Sequence, residues 1–180
     1  MMTSTSSSRF GSVSVEGEYA TLEFERRLSH PPEIVWEAIT EPKELAEWYL
    51  TKARIDGRQG GRIEFWSGPT QVHVTGSILV WDPPHVFEHE WIVEPSTDFP
   101  RGEKATIRWE IQRDGDKSVL KMTHRNLTRG TAQVFSSGAH AFLDRLEASL
   151  DETSMPDWMA RVKELRPSYR QKPTRHQPLK

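Results

Sequence analysis

The chain has 180 residues, 35% of them hydrophobic and 28% charged, with a formal net charge of −2 and no cysteine. That length suits one domain that buries about 70% of the surface its unfolded chain exposes, so it needs no metal or disulfide to fold. The lack of a thiol excludes a disulfide framework, a Cys-zinc site, an iron–sulfur cluster and a cysteine nucleophile, and it fits a reducing compartment, here expected to be the cytoplasm.

Residues 1–17 begin MMTSTSSSRFGS, a Ser/Thr-rich and aperiodic stretch without the apolar core of a secretory signal, and they are expected to form a flexible arm. From Tyr19 a period of two sets in, with Leu22, Phe24, Arg26 and Leu28 on one face of a strand. Arg26 is out of place on that apolar face: it reads either as a partner for a ligand carboxylate or as a guanidinium paired with a protein acid. His30-Pro31-Pro32 stops the strand and Glu33 suits the first turn of a helix carrying Ile34, Val35, Ala38 and Ile39. Thr40-Glu41-Pro42 restarts the pattern, and Leu45, Trp48 and Tyr49 mark a second short helix.

Gly60-Gly61 opens a run of strands near 52–57, 61–67, 70–81, 85–94, 104–113 and 117–126. Gly68-Pro69, Asp82-Pro83-Pro84, Pro95 to Gly102 and Asp114-Gly115-Asp116 separate them, and such short turns imply an antiparallel meander. From Thr131 the period becomes 3.6: Val134, Phe135, Ala139, Phe142, Leu143, Leu146 and Leu150 form a stripe, with Asp144, Arg145 and Glu147 opposite. Residues 153–166 fit an additional amphipathic helix capped by Ser154, with Trp158, Met159, Val162 and Leu165 on one side. Residues 167–180 carry Arg170, Lys172, Arg175 and Lys180 and no acid, and read as a basic disordered tail. Without that tail and Arg9 the body is acidic, which argues against nucleic acid as a partner. No apolar run approaches the roughly 18 residues of a membrane span.

The order strand, two short helices, six strands, long helix gives an α+β protein in which the long helix covers one face of a curved antiparallel sheet. The space between helix and sheet is the place for a pocket. Alternation puts Phe65, then Phe87, His89 and Trp91, then Trp109, then Met122 and His124 on inward faces. With Trp48 and with Phe135, Ala139, Phe142 and Leu146 of the helix they make an aromatic, mostly apolar candidate wall, whose polar groups are His89 and His124. The same residues also suit a closed core. Each imidazole reads as a general acid or base, as a holder of a ligand oxygen, or as a satisfied core histidine. No catalytic residue, metal or cofactor is assigned: His85 and His89 lie about 13 Å apart on a strand, and no G-x-S-x-G or H-E-x-x-H is present. Glu88 and Glu90 alternate with the inward set and are expected to face solvent.

The stretch Pro32 to Trp48, PEIVWEAITEPKELAEW, resembles the opening of the "activator of Hsp90 ATPase homologue 1-like" proteins of the START-like, helix-grip superfamily. Gly60-Gly61-Arg62-Ile63-Glu64-Phe65, Gly76-Ser77-Ile78-Leu79 with Asp82-Pro83-Pro84, Leu120-Lys121-Met122-Thr123-His124, and Gly138 with Leu143 and Leu146 follow in that group's order. The resemblance covers about residues 18–152 and implies a helix-grip domain. Where the group often has Gly-Trp, this chain has Gly138-Ala139, which implies a roomier space beneath the helix unless Trp91 or Trp109 fills it. The resemblance also frames three functions. The favoured one is noncatalytic binding of a small hydrophobic or aromatic molecule. The others are an enzyme of polyketide cyclase or aromatase type in the same cavity, and an accessory partner of an Hsp90-type chaperone. The roughly 18 residues before the first strand are too few for the separate N-terminal domain of eukaryotic members, which weakens the chaperone reading.

Overall fold

Nearly every segment with a period of two pairs with its sequence neighbour. The computed structural model describes residues 8–170 and Arg175–His176. Its strands are β1 (Ser12–Glu16), β2 (Tyr19–Leu28), β3 (Thr51–Ile55), β4 (Arg62–Ser67), β5 (His73–Asp82), β6 (Val86–Val93), β7 (Glu103–Asp114), β8 (Lys117–Thr128) and the short β9 (Arg175–His176). The helices are α1 (Pro32–Thr40), α2 (Pro42–Trp48), α3 (Arg129–Leu150) and α4 (Trp158–Arg170). In the sheet the order is β3-β4-β5-β6-β7-β8-β2-β1-β9. All pairs are antiparallel except β1 with β9. This is a helix-grip fold, with α3 lying in the concave face of a curved, open sheet.

Alternation explains the burial. Leu22, Phe24, Arg26 and Leu28 of β2, Phe87, His89, Trp91 and Val93 of β6, and Leu120, Met122 and His124 of β8 all turn inward. Gly76 permits a close crossing: a Cβ there would lie 2.2 Å from the carbonyl oxygen of Glu90 on β6. Pro32 and Pro42 occupy the first turns of α1 and α2, where a missing N–H costs nothing. Among the described residues no helix is long and apolar enough to cross a membrane.

Three expectations change. Residues 12–16, expected in a flexible arm, form β1 instead, joined to β2 through Gly17-Glu18 with Gly17 at φ 61°, as a two-residue hairpin turn with glycine first allows. The last helix starts at Trp158 rather than near 153, and its cap is Asp157, whose carboxylate accepts the N–H of Ala160 at 2.8 Å, not Ser154. It also runs through Pro167 to Arg170. Tyr169 is anchored beyond the proline: its hydroxyl accepts the Gly11 N–H at 2.9 Å and lies 2.8 Å from Nδ1 of His140. Of the expected basic tail, residues 171–174 and 177–180 lie outside the described residues.

Candidate functional site

A partly enclosed cavity of about 150 Å³ lies between α3 and the sheet. Its floor is the concave face: Phe65 of β4, Val72 and Val74, Trp91 of β6, Ile107 and Trp109 of β7, and Met122 and His124 of β8. Phe135, Gly138, Ala139, Phe142 and Leu143 of α3 form the roof, with Trp158 and Val162 of α4 beside them. Trp48, Tyr49 and Thr51 close one side. Ser67 and Thr70 of the β4–β5 turn, Arg166 and the exposed Val134 make the rim.

The rings support one another. Trp48 stacks on Tyr49 at 4.9 Å, Tyr49 meets Phe142 edge-on at 4.7 Å, and Phe142 lies 5.0 Å from Trp158. On the other side Trp91 meets His124 edge-on at 4.9 Å and Phe135 at 5.4 Å. Contacts of this kind hold aromatic walls in place better than area alone. Trp48 is further fixed by its indole N–H, which donates to the Ala38 carbonyl at 2.8 Å.

Trp48, Phe65, Trp91, Trp109, Met122, His124, Phe135, Ala139 and Phe142 of the sequence-derived set thus come together around this cavity. Three others do not line it. Phe87 and His89 border a second void of about 10 Å³, with room for roughly one water. Leu146 is fully buried in the core. The sequence reading missed the wall supplied by α4. Trp158 lies over Gly138, donating its indole N–H to the Gly138 carbonyl at 3.2 Å. A Cβ on Gly138 would come within 3.2 Å of that indole. So an indole does meet Gly138, and it comes from α4, while Trp91 and Trp109 line the same cavity as Ala139. Tyr49 and Val74 were also missed, although the alternation of Val72 and Val74 carried the signal for the latter.

The two candidate histidines differ in role. His89 has Nδ1 2.7 Å from the Glu90 carbonyl oxygen, and burial pulls its pKa down to about 4. His124 is 5% exposed, and its Nε2 is buried with no hydrogen bond among the described residues. Burial, with a smaller effect from His89, pulls it down to about 3. Both rings are therefore neutral near pH 7. Burial raises the Tyr49 phenol to about 12, so it also stays neutral. Among the described residues no three His, Asp or Glu side chains converge in a way that could hold a metal ion.

Arg26 belongs to a different centre. It is 2% exposed, and its Nη2 lies 3.5 Å from Asp144 of α3 while Nη1 donates to the Arg9 carbonyl. Asp144 also receives Arg9 at 2.8 Å and Arg161 at 2.7 Å. Burial pushes the Asp144 carboxyl up, but the hydrogen bonds from Arg161 and Arg9 and the charges of His140 and Arg26 outweigh it and hold it below the usual carboxylate range. Arg26 thus meets protein acids and not the cavity. The charged side of α3 is covered by α4 and the N-terminal segment. Arg145, 7% exposed, donates to the carbonyls of Trp48, Glu47 and Pro156 at 2.9, 2.8 and 2.6 Å. Glu88 and Glu90 are not freely solvated either: Glu88 pairs with Arg108 at 2.9 Å and Arg125 at 3.3 Å, and Glu90 accepts the Ser77 N–H at 3.0 Å.

Solved structures share this architecture. CalU16 from Micromonospora echinospora aligns with a TM-score of 0.67 at 20% identity, over 89% of this chain and 94% of that one. The protein encoded by gene BPP1335 of Bordetella parapertussis aligns with a TM-score of 0.67 at 21% identity, over 97% of each chain. Protein MLL2253 from Mesorhizobium loti gives 0.66 at 23% identity, over 74% of this chain and 98% of that one. At these identities the likeness is one of fold. No curated protein matches the sequence. The family model described as "Activator of Hsp90 ATPase homolog 1-like protein" matches residues 29–151, from the end of β2 through α3, and on that match the chain belongs to this family.

Proposed function

We propose that the protein is a noncatalytic binder of a small, flat, largely apolar molecule held between α3 and the sheet. The observation that carries this reading is the ring-lined cavity of about 150 Å³. A void of about that size in an apolar core admits one benzene ring. A cyclase that folds a long polyketide chain needs several times that room, so the volume favours a one-ring occupant. The chemistry of the wall agrees. Among the described residues its single histidine is neutral, and its one full charge, Arg166, stands exposed at the rim. A wall with few polar groups orients a ligand without reacting with it.

The test is titration with single-ring arenes, read by tryptophan fluorescence and by melting temperature. Trp48, Trp91, Trp109 and Trp158 all line the cavity, so occupancy is expected to quench emission. Ligand at about 100 times its Kd should add about 2.7 kcal/mol of stability. Ala139→Trp puts an indole into the cavity and should abolish both effects while the protein stays folded. Binding that survives this change with unaltered affinity would place the ligand elsewhere.

A further inference from the structure

We propose that the molecule held in the cavity is a hydroxyarene, a single aromatic ring whose hydroxyl hydrogen-bonds the Nε2 of His124. This rests on the binding reading above and narrows it to one chemical class. Among the described residues, the buried side-chain polar atoms without a hydrogen bond belong to Arg26, His140 and His124. The first two sit in the charge network around Asp144, where ion pairs compensate them. Of the three, His124 alone lines the cavity, and among the described residues no carboxylate forms an ion pair with it. A buried polar atom without a partner is costly, and a ligand that supplies the partner recovers that cost on binding.

The neutral ring selects the ligand group. Burial holds His124 neutral, so Nε2 offers either a lone pair or an N–H, according to tautomer. A hydroxyl answers both, since it donates and accepts. A carbonyl answers only the N–H, and an ammonium only the lone pair. A carboxylate or ammonium would also be a buried charge without a counter-ion, because Arg166 is exposed on α4 and among the described residues no acid lines the cavity. Nε2 itself has almost no exposed surface, so binding includes a half-turn of the imidazole, which exchanges Nε2 with Cε1 in the same footprint and turns the nitrogen to meet the hydroxyl. The neighbours select a flat body. Trp91 and Phe135 stand edge-on to one another beside His124, which favours another ring over a branched aliphatic group.

The experiment uses phenol and toluene, which have nearly the same shape, with the full chain and its His124→Phe variant. Dissociation constants are taken from tryptophan quenching. The readout is the ratio of phenol to toluene affinity, compared between the two proteins, so that the different hydrophobicities of the probes cancel. The ratio is expected to fall at least about tenfold in His124→Phe, the scale of one lost buried hydrogen bond. In the unsubstituted protein labelled with ¹⁵N-histidine, phenol but not toluene should shift the Nε2 resonance of His124, a measurement that does not depend on the variant folding. If both probes bind and neither the ratio nor the resonance moves, the hydroxyl contact is wrong while the cavity stands as a binding site. If neither probe binds the unsubstituted protein, both readings fail.

Discussion

His89 and His124 are both cross-strand partners of Ile107, so the two imidazoles stand in one row across β6, β7 and β8 on the concave side of the sheet. The row divides their tasks. His89 lies against Phe65 and Phe87 with Nδ1 on a backbone carbonyl, and His124 reaches the cavity. A proton on either ring would be a buried positive charge beside the other.

Acid should therefore unfold the protein earlier than its carboxylates alone require. His89 and His124 titrate in the folded state at about 4 and about 3, and burial pulls His140 of α3 down as well, against 6.5 in an unfolded chain. Below pH 6.5 the unfolded chain takes up protons that the native state refuses. The stability is thus complete above that pH and declines as pH falls toward 4, by up to about 1.4 kcal/mol per pH unit for each histidine. Urea denaturation at pH 7.5, 6 and 5 checks this, and equal midpoints at the three values would show that the rings titrate normally.

Arg145 is expected to matter for stability although it touches no ligand. Its guanidinium ties the end of α2 and the loop before α4 to α3 through backbone carbonyls of Glu47, Trp48 and Pro156. Arg145→Met keeps much of the apolar stem and strands those carbonyls, at an expected cost of about 3 kcal/mol. Arg145→Lys should recover little, because one ammonium cannot reach groups arranged for a planar fork. A urea midpoint unchanged in Arg145→Met would mean that the loop holds without it.

How much of this was legible in the sequence depended on where the partner of each residue lay. The strands from β2 through β8 and the helix α3 announce themselves because their period repeats over many residues, and from β3 to β8 each strand pairs with the next in sequence. β1 is short, and its Val13 and Val15 alternate with serines inside a Ser-rich stretch, so the pattern carried little weight until β2 was seen to pair with it. Asp144, Arg145 and Glu147 illustrate a deeper limit. Charges on one face of a helix look the same whether water or a second helix covers them, and what covers these comes from Arg9 and from α4. Of the nine candidate wall residues that meet at the cavity, Phe65, Trp91, Trp109, Met122 and His124 followed from alternation, and Phe135, Ala139 and Phe142 from the helical stripe of α3. Trp158 did not, because nothing local says that the helix bearing it folds back over Gly138.

Gly76 offers a test of the sheet itself. Adding one methyl group as Gly76→Ala puts Cβ 2.2 Å from the Glu90 carbonyl oxygen and 2.8 Å from its carbon, both backbone atoms that cannot step aside without moving β6. A loss of about 2–3 kcal/mol is expected, beyond any gain from a less flexible unfolded chain. Trp91 and His89 flank Glu90 on β6, so arene binding should weaken as well. A thermal midpoint within a degree of the parent protein would show that the two strands have slack there.

Trp158 sets the size of the cavity. Its indole lies between Gly138 and Phe142 and lines the same space as Ala139. Trp158→Ala should cost about 3–5 kcal/mol, as for other large aromatic truncations. The room it frees adjoins the existing cavity, so two-ring arenes should gain relative to one-ring ones. The comparison is naphthalene against toluene, by fluorescence of the remaining tryptophans, in the parent protein and in Trp158→Ala. The ratio of affinities should move toward naphthalene by about tenfold, since one further ring finds apolar contacts that the indole had occupied. An unchanged ratio would mean that the residues around Gly138 collapse into the gap, and that α3 and the sheet fix the size of the ligand without help from α4.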